Sequence, residues 1–329
     1  DFSMNWSDWS EYERFILTLL VLTFLVGLGH IVTYFSLKYA EKHHKKLRRA
    51  FLMRTQRYLG SFWWMFLIAI LTGLFGLIGG LIASTFLSFI ALREFITLTP
   101  VKIGDHRAIS LAFFVILPLQ YILIGFSEFD LFTVLIPVYA FLLLPVITAT
   151  RQDTDRFLTR NASVQWGLMV AVYCISHMVA ILNIETVRDF SNGRRALFLL
   201  FFLVLVRSAS LIQHVADYYF RDGSMRIAEK IYDRVTWNGM WVSAGVTATL
   251  AASFFWFTPL RPWQALIAGA LIAMSSVLGR VVMRAIAMSM GVRDWGDVTG
   301  REQGVLDRLD GVVYAAPVFF HFVQFITIR

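Results

Sequence analysis

The chain has 329 residues, 57% of them hydrophobic and 16% charged, with a mean hydropathy of +0.64 and a net charge of +8. That balance excludes a soluble globular protein, and no polar stretch is long enough to build a separate soluble domain. Its positive charge points to basic loops on anionic lipid, not to nucleic acid.

Apolar runs of about 20 residues recur along the chain, which predicts an all-α polytopic membrane protein. The chain begins at Asp1, and Asp8, Glu11 and Glu13 precede the first apolar run, so no cleavable leader is expected. Ten spans are predicted, over residues 14–37, 60–77, 79–92, 108–126, 130–150, 163–183, 195–216, 237–257, 263–290 and 311–328. Residues 59–92 carry no charge. As one helix they would run about 51 Å, against a hydrocarbon core of about 30 Å, so a hairpin breaking near Gly79-Gly80 is expected. A single transmembrane domain results, with N-terminal helices and a basic loop over 1–107 and core helices over 108–329.

The loops orient the spans. Lys38, Lys42, Lys45, Lys46, Arg48, Arg49, Arg54 and Arg57 crowd the first loop, and every second loop after it is basic. The intervening loops are nearly free of Lys and Arg, apart from Arg188, Arg194 and Arg195 in 184–195. The positive-inside rule then places both termini outside and residues 291–310 in the cytoplasm. The basic loop itself reads as serving orientation and contact with anionic headgroups, with a regulatory role as the less favoured alternative. The single cysteine, Cys174, excludes an intrachain disulfide framework and any multi-cysteine metal site; it reads as a small core residue. His30, His177, His214 and His321 lie in or near separate spans without metal-ligand spacing, and read as core or interface histidines.

Residues 291–310 gather carboxylates, arginines and glycines between two apolar segments, where a membrane meets water. This pattern either solvates a face or holds an ion or phosphate. The stretch resembles the signature of the phosphatidate cytidylyltransferases, the CDP-diacylglycerol synthases. Gly291, Asp294, Gly300, Gly304, Asp307, Arg308 and Asp310 fall at matching positions without a gap; Arg293 replaces a lysine, and Glu302 and Gln303 stand for His and Gly. Arg93-Glu94-Phe95 is similar to a motif that follows an early hairpin in that family, and Thr236-Trp237-Asn238-Gly239 to the end of another.

The resemblance implies a lipid-biosynthetic nucleotidyl transfer in a bacterial plasma membrane: CTP and phosphatidate give CDP-diacylglycerol and pyrophosphate, with Mg²⁺ as cofactor. It implies catalytic roles for Asp307, Asp294 and Asp310, Asp307 holding the metal, and substrate binding by Arg308, Arg293, Gly304, Gly300, Arg284 and Thr236. It also implies a second metal carboxylate 27 residues before Asp307, where this chain has Arg280 after Gly279. Other family cations are lost as well: Ala287, Met288 and Val235 occupy cationic or adjoining motif positions, and Ser210 replaces an aspartate beside the matching Gln213.

An arginine offers donors only and cannot ligate Mg²⁺. Intramembrane charges are costly and usually have a job. Arg280 and Arg284 share one helix face, and Asp307 and Asp310 open the last helix. Two arrangements follow. Arg280 pairs with Asp307 in place of the metal, or Asp294, Asp297 or Glu302 supplies the missing ligand while Arg280 and Arg284 hold phosphates. Three functions stand against one another: an active cytidylyltransferase, a degenerate phospholipid-binding or structural subunit of a homo-oligomer or membrane complex, and, least favoured, a transporter. Asp310-Gly311 also echoes the CDP-alcohol phosphatidyltransferases, but no acidic residue follows it, which excludes that motif.

Overall fold

A computed structural model of the chain describes residues 9–100, 102–220, 223–292, 295 and 304–327. Its long helices are α1 (Glu11–Lys42), α2 (Lys46–Leu98), α3 (His106–Gly125), α4 (Phe129–Ala149), α5 (Phe157–Asn183), α6 (Asn192–Tyr219), α7 (Trp237–Ser253), α8 (Pro262–Ser289) and α9 (Val305–Thr327). Among the described residues, all of these but α7 are long and apolar enough to cross a membrane, eight in number. They mark an integral membrane protein. The α7 helix, predicted as a span over 237–257, has 17 residues and is continued by a tight turn at Phe255–Phe257.

The charge-free stretch is one run of helix interrupted once. The break falls at Gly76 and not at Gly79-Gly80. Gly76 has φ 63° and ψ −143°, a conformation essentially reserved for glycine, whereas Gly79 and Gly80 stay helical. The chain folds so sharply there that a side chain on Gly79 would strike the Leu71 carbonyl oxygen. In a straight helix those residues would be about 12 Å apart.

The chain packs as two compact units, each made of two stretches. The first holds residues 1–80 and 189–277. Its α1 begins with a reciprocal cap: the Glu13 N–H donates to Ser10 Oγ at 3.3 Å, and the Ser10 N–H donates to Glu13 Oε2 at 2.7 Å. Part of the acidic N-terminal tail is thus a helix start signal. Phe15, Phe62, Phe66, Leu197 and Leu200 share one core. Elsewhere small residues bring helices close: Ala209, Ala244 and Ala273 pack together, and the Ser243 hydroxyl donates to the Ala209 carbonyl at 2.8 Å. His214 lies flat on Phe51 at 4.7 Å between ring centroids, and Trp63 Nε1–H donates to His30 Nε2 at 3.3 Å. Both histidines are packing residues.

A short antiparallel hairpin, β1 (Arg226–Ala228) with β2 (Tyr232–Thr236), accompanies the helices of this all-α chain. Strands of three and five residues leave too little alternation to be read from sequence.

The second unit holds residues 81–188 and 278–329. Buried polar side chains satisfy one another here: Tyr121 Oη lies 2.6 Å from Ser88 Oγ, and Asn183 Nδ2 donates to the Ile124 carbonyl at 2.6 Å. His177 is buried with Nδ1 2.7 Å from the Tyr173 carbonyl oxygen. Cys174, expected in the core, is only partly buried. The Asp105 carboxylate and the Arg160 guanidinium, each 2% exposed as residues, approach to 3.1 Å. Arg160 also donates to Asp153 Oδ2 at 2.9 Å, and Lys102 reaches Asp155 at 2.6 Å. This clasp closes the segments that precede α3 and α5.

Candidate functional site

The site is built around the start of α9. The preceding helix α8 ends on Gly291, whose φ is 83°. The Val292 N–H donates to the Ala287 carbonyl and the Gly291 N–H to the Met288 carbonyl, both at 3.1 Å. This left-handed cap terminates the helix and explains the first glycine of the signature in conformational terms.

At the other end of the loop, Gly304 caps α9 and Asp307 is the third residue of its first turn. The Gly304 N–H donates to Asp307 Oδ2 at 3.1 Å. The Leu306 N–H donates to Glu94 Oε2 at 2.9 Å. Two of the helix's otherwise unsatisfied N–H groups therefore meet carboxylates, which also suit the positive end of the helix dipole. Gly304 leaves room for Glu94: any side chain on Gly304 would collide with the Glu94 carboxylate. Next to Glu94, Phe95 stacks on Trp295 with ring centroids 5.4 Å apart and planes at 25°. Phe95 and Trp295 are almost wholly buried. Arg93-Glu94-Phe95 thus anchors the signature at two points.

Further along α9, Asp310 Oδ1 accepts the Gly311 N–H at 2.7 Å, and Asp307, Arg308 and Asp310 are all half-buried. Tyr314 lies against Gly279 of α8: a β-carbon at 279 would be 2.6 Å from the Tyr314 β-carbon. The residue after that contact, Arg280, is buried at 3% exposure, and Arg284 one turn later is half-buried. The structure therefore groups Glu94, Gly304, Asp307, Arg308 and Asp310 about the start of α9, and docks α8 onto α9 at the pair Gly279–Tyr314.

Thr236 belongs to the first unit and has a local role there. Its hydroxyl accepts the Gly239 N–H at 3.0 Å and donates to Asp217 Oδ1 at 2.7 Å, so it caps α7. Arg293, Asp294 and Gly300, together with Asp297 and Glu302, lie outside the described residues.

The fit to a metal follows from the donors. Asp307 offers hard oxygens, as Mg²⁺ requires, but Arg280 has none. A metal pair built from positions 280 and 307 does not fit this chain. Among the described residues no group of three His, Cys, Asp or Glu side chains could hold a metal ion.

Sequence reasoning noticed Glu94 but gave it no role, and it missed Trp295 and Asp217. Glu94 carried a signal: Arg93 and Glu94 are the first charges after a long charge-free run.

The sequence model of the family described as "Cytidylyltransferase family" matches residues 56–326. The chain is 34% identical over 242 residues to "Uncharacterized protein YnbB" of Escherichia coli (strain K12), covering 73% of this chain and 77% of that protein. It is 28% identical over 96 residues to "Phosphatidate cytidylyltransferase" of Mycobacterium bovis, covering 29% of this chain and 31% of that protein. The same identity holds for the protein of that name in Mycobacterium tuberculosis (strain ATCC 25618 / H37Rv), of which 29% is covered.

Proposed function

The chain belongs to the cytidylyltransferase family, and from that premise we propose that it transfers a cytidylyl group from CTP to phosphatidate, releasing pyrophosphate. The observation that carries this is the start of α9, where the Asp-Arg-Leu-Asp core of the signature is held in a fixed frame by Glu94 and Gly304. In nucleotidyl transfer the phosphate of the lipid attacks the α-phosphorus of CTP, and the protein's main tasks are in-line positioning and charge neutralisation. The departure at position 280 changes how charge is met. Arg280, Arg284, Arg308 and Arg293 supply guanidiniums, whose forks suit phosphate oxygens. Asp294, Asp310 and the loop glycines Gly300 and Gly304 complete the site. If Mg²⁺ accompanies CTP, Asp307 with Asp294, Asp297 or Glu302 is the set of oxygens to hold it.

Ten spans are proposed, counting α2 as two helices divided at Gly76 and including α7. Both termini then lie outside and the signature faces the cytoplasm of a bacterial plasma membrane, where CTP is.

The buried Arg280 favours a second function: a member that has lost turnover and binds phospholipid or supports a membrane complex. One assay separates the two. Purified protein in detergent is given phosphatidate, labelled CTP and Mg²⁺. Pyrophosphate release that Asp307→Ala abolishes supports the transferase. No turnover in the wild type, together with metal binding gained in Arg280→Asp, supports the degenerate member.

A further inference from the structure

The first unit holds a cavity of about 930 Å³ between the start of α1, the start of α6 and the turn after α7. Glu11, Arg14, Val21 and Leu25 line it from α1. At helical spacing these fall on one face of α1 and run inward for about 21 Å. That is somewhat more than one leaflet of a hydrocarbon core about 30 Å thick. The mouth is charged and the body is apolar. Val21 is 48% exposed and Leu25 53% exposed, so the chain leaves the body of the cavity open. Leu197, Trp256 and Phe257 also line it, and Trp256 is half-exposed; aromatic side chains gather at the headgroup level of a membrane.

The charges at the mouth are fixed by neighbouring groups. Glu11 Oε1 is 3.7 Å from the Arg194 guanidinium, and Ser191 Oγ donates to the other Glu11 oxygen. The Arg194 guanidinium lies over the Phe190 ring at 3.9 Å. Arg14 is one turn inward from Glu11 on α1. The lining thus carries two guanidiniums and one carboxylate, an excess of one positive charge.

We propose that this cavity is a binding site for one anionic glycerophospholipid, with an acyl chain along α1 and the head-group phosphate at Arg14 and Arg194. Guanidinium forks match a phosphodiester, and an apolar slot of this depth matches an acyl chain entering from the headgroup level. The site shares no residue with the signature or with Thr236. It is a lipid site additional to the reacting substrate, one that anchors α1 against α6 through a bound lipid.

The full chain in detergent is titrated with phosphatidylglycerol, and separately with phosphatidylcholine of the same acyl chains, and bound lipid is counted by native mass spectrometry. CTP is absent, so the outcome is independent of the transferase assay. The expected result is one phosphatidylglycerol held at least about tenfold more tightly than phosphatidylcholine, as charge-assisted contacts imply. Replacing Arg14→Gln and Arg194→Gln together removes that preference, and Leu25→Trp, which fills the slot, removes the tight phosphatidylglycerol site. Leu25→Trp tests the same site should the double variant not fold. Equal binding of the two lipids, or tight binding unchanged in Leu25→Trp, overturns the proposal. So does crosslinking from position 25 that captures a polypeptide and no lipid.

Discussion

Glu94 accepts the backbone N–H of Leu306 at 2.9 Å across 212 residues of sequence. It ties an early helix to the first turn of the helix that carries the family signature. A buried carboxylate accepting a helix N-terminal N–H is a charge-assisted bond, and losing it strands that donor.

Glu94→Ala is therefore expected to cost about 1–3 kcal/mol. It should lower the thermal unfolding midpoint in detergent by several degrees and abolish any CTP-dependent turnover. Glu94→Gln keeps an acceptor oxygen and loses less of both. A Glu94→Ala protein as stable and as active as wild type would remove the carboxylate from the site's frame.

The α8–α9 contact rests on the missing β-carbon of Gly279. Placing one there 2.6 Å from the Tyr314 β-carbon forces the helices apart. Gly279→Ala is expected to destabilise by about 1–3 kcal/mol, the usual scale of overpacking. Adding Tyr314→Ala relieves the ring contacts but not the β-carbon contact, so recovery is partial. Full recovery in the double variant would place the clash in the ring alone. Unfolding midpoints of the two variants decide.

Two effects combine at Gly76 and can be separated. Its φ of 63° and ψ of −143° penalise any side chain, and a β-carbon would also collide with the Asn192 amide. Gly76→Ala loses both ways. In an Asn192→Ala background only the backbone cost remains, about 1–3 kcal/mol. Chemical denaturation of the four proteins in the cycle measures the two parts.

The clasp before α3 and α5 gives a pH dependence. The Asp155 N–H, and then Arg160, hold Asp153 below its ordinary carboxylate value; a hydrogen bond from Lys102 does the same for Asp155. A carboxylate whose value is depressed on folding adds stability that is complete above about pH 4 and is lost as pH falls through the depressed value. Thermal stability is thus expected to fall below about pH 4, with a shallower fall in Asp153→Asn with Asp155→Asn. Asp105→Asn, which leaves Arg160 only the Asp153 carboxylate, is expected to cost about 1–3 kcal/mol at neutral pH.

Sequence alone determined what short-range chemistry encodes. Apolar runs of helical length announce the spans, because every backbone polar group in hydrocarbon must be satisfied within its own segment. The signature was legible because Gly291, Gly304, Asp307, Arg308 and Asp310 lie within twenty residues, and a cap such as Gly291 is a local backbone requirement. The pairings that position the site were not legible. Glu94 with Leu306, Phe95 with Trp295, Gly279 with Tyr314 and Asp105 with Arg160 join residues far apart in sequence, and neither partner carries a periodicity that names the other. The break was expected near Gly79-Gly80 and falls at Gly76, beside Asn192 and where the chain returns past Leu71, neighbours that no local pattern names. Hydropathy is a property of a segment, whereas packing is a property of pairs, and only the tertiary structure brings the pairs together.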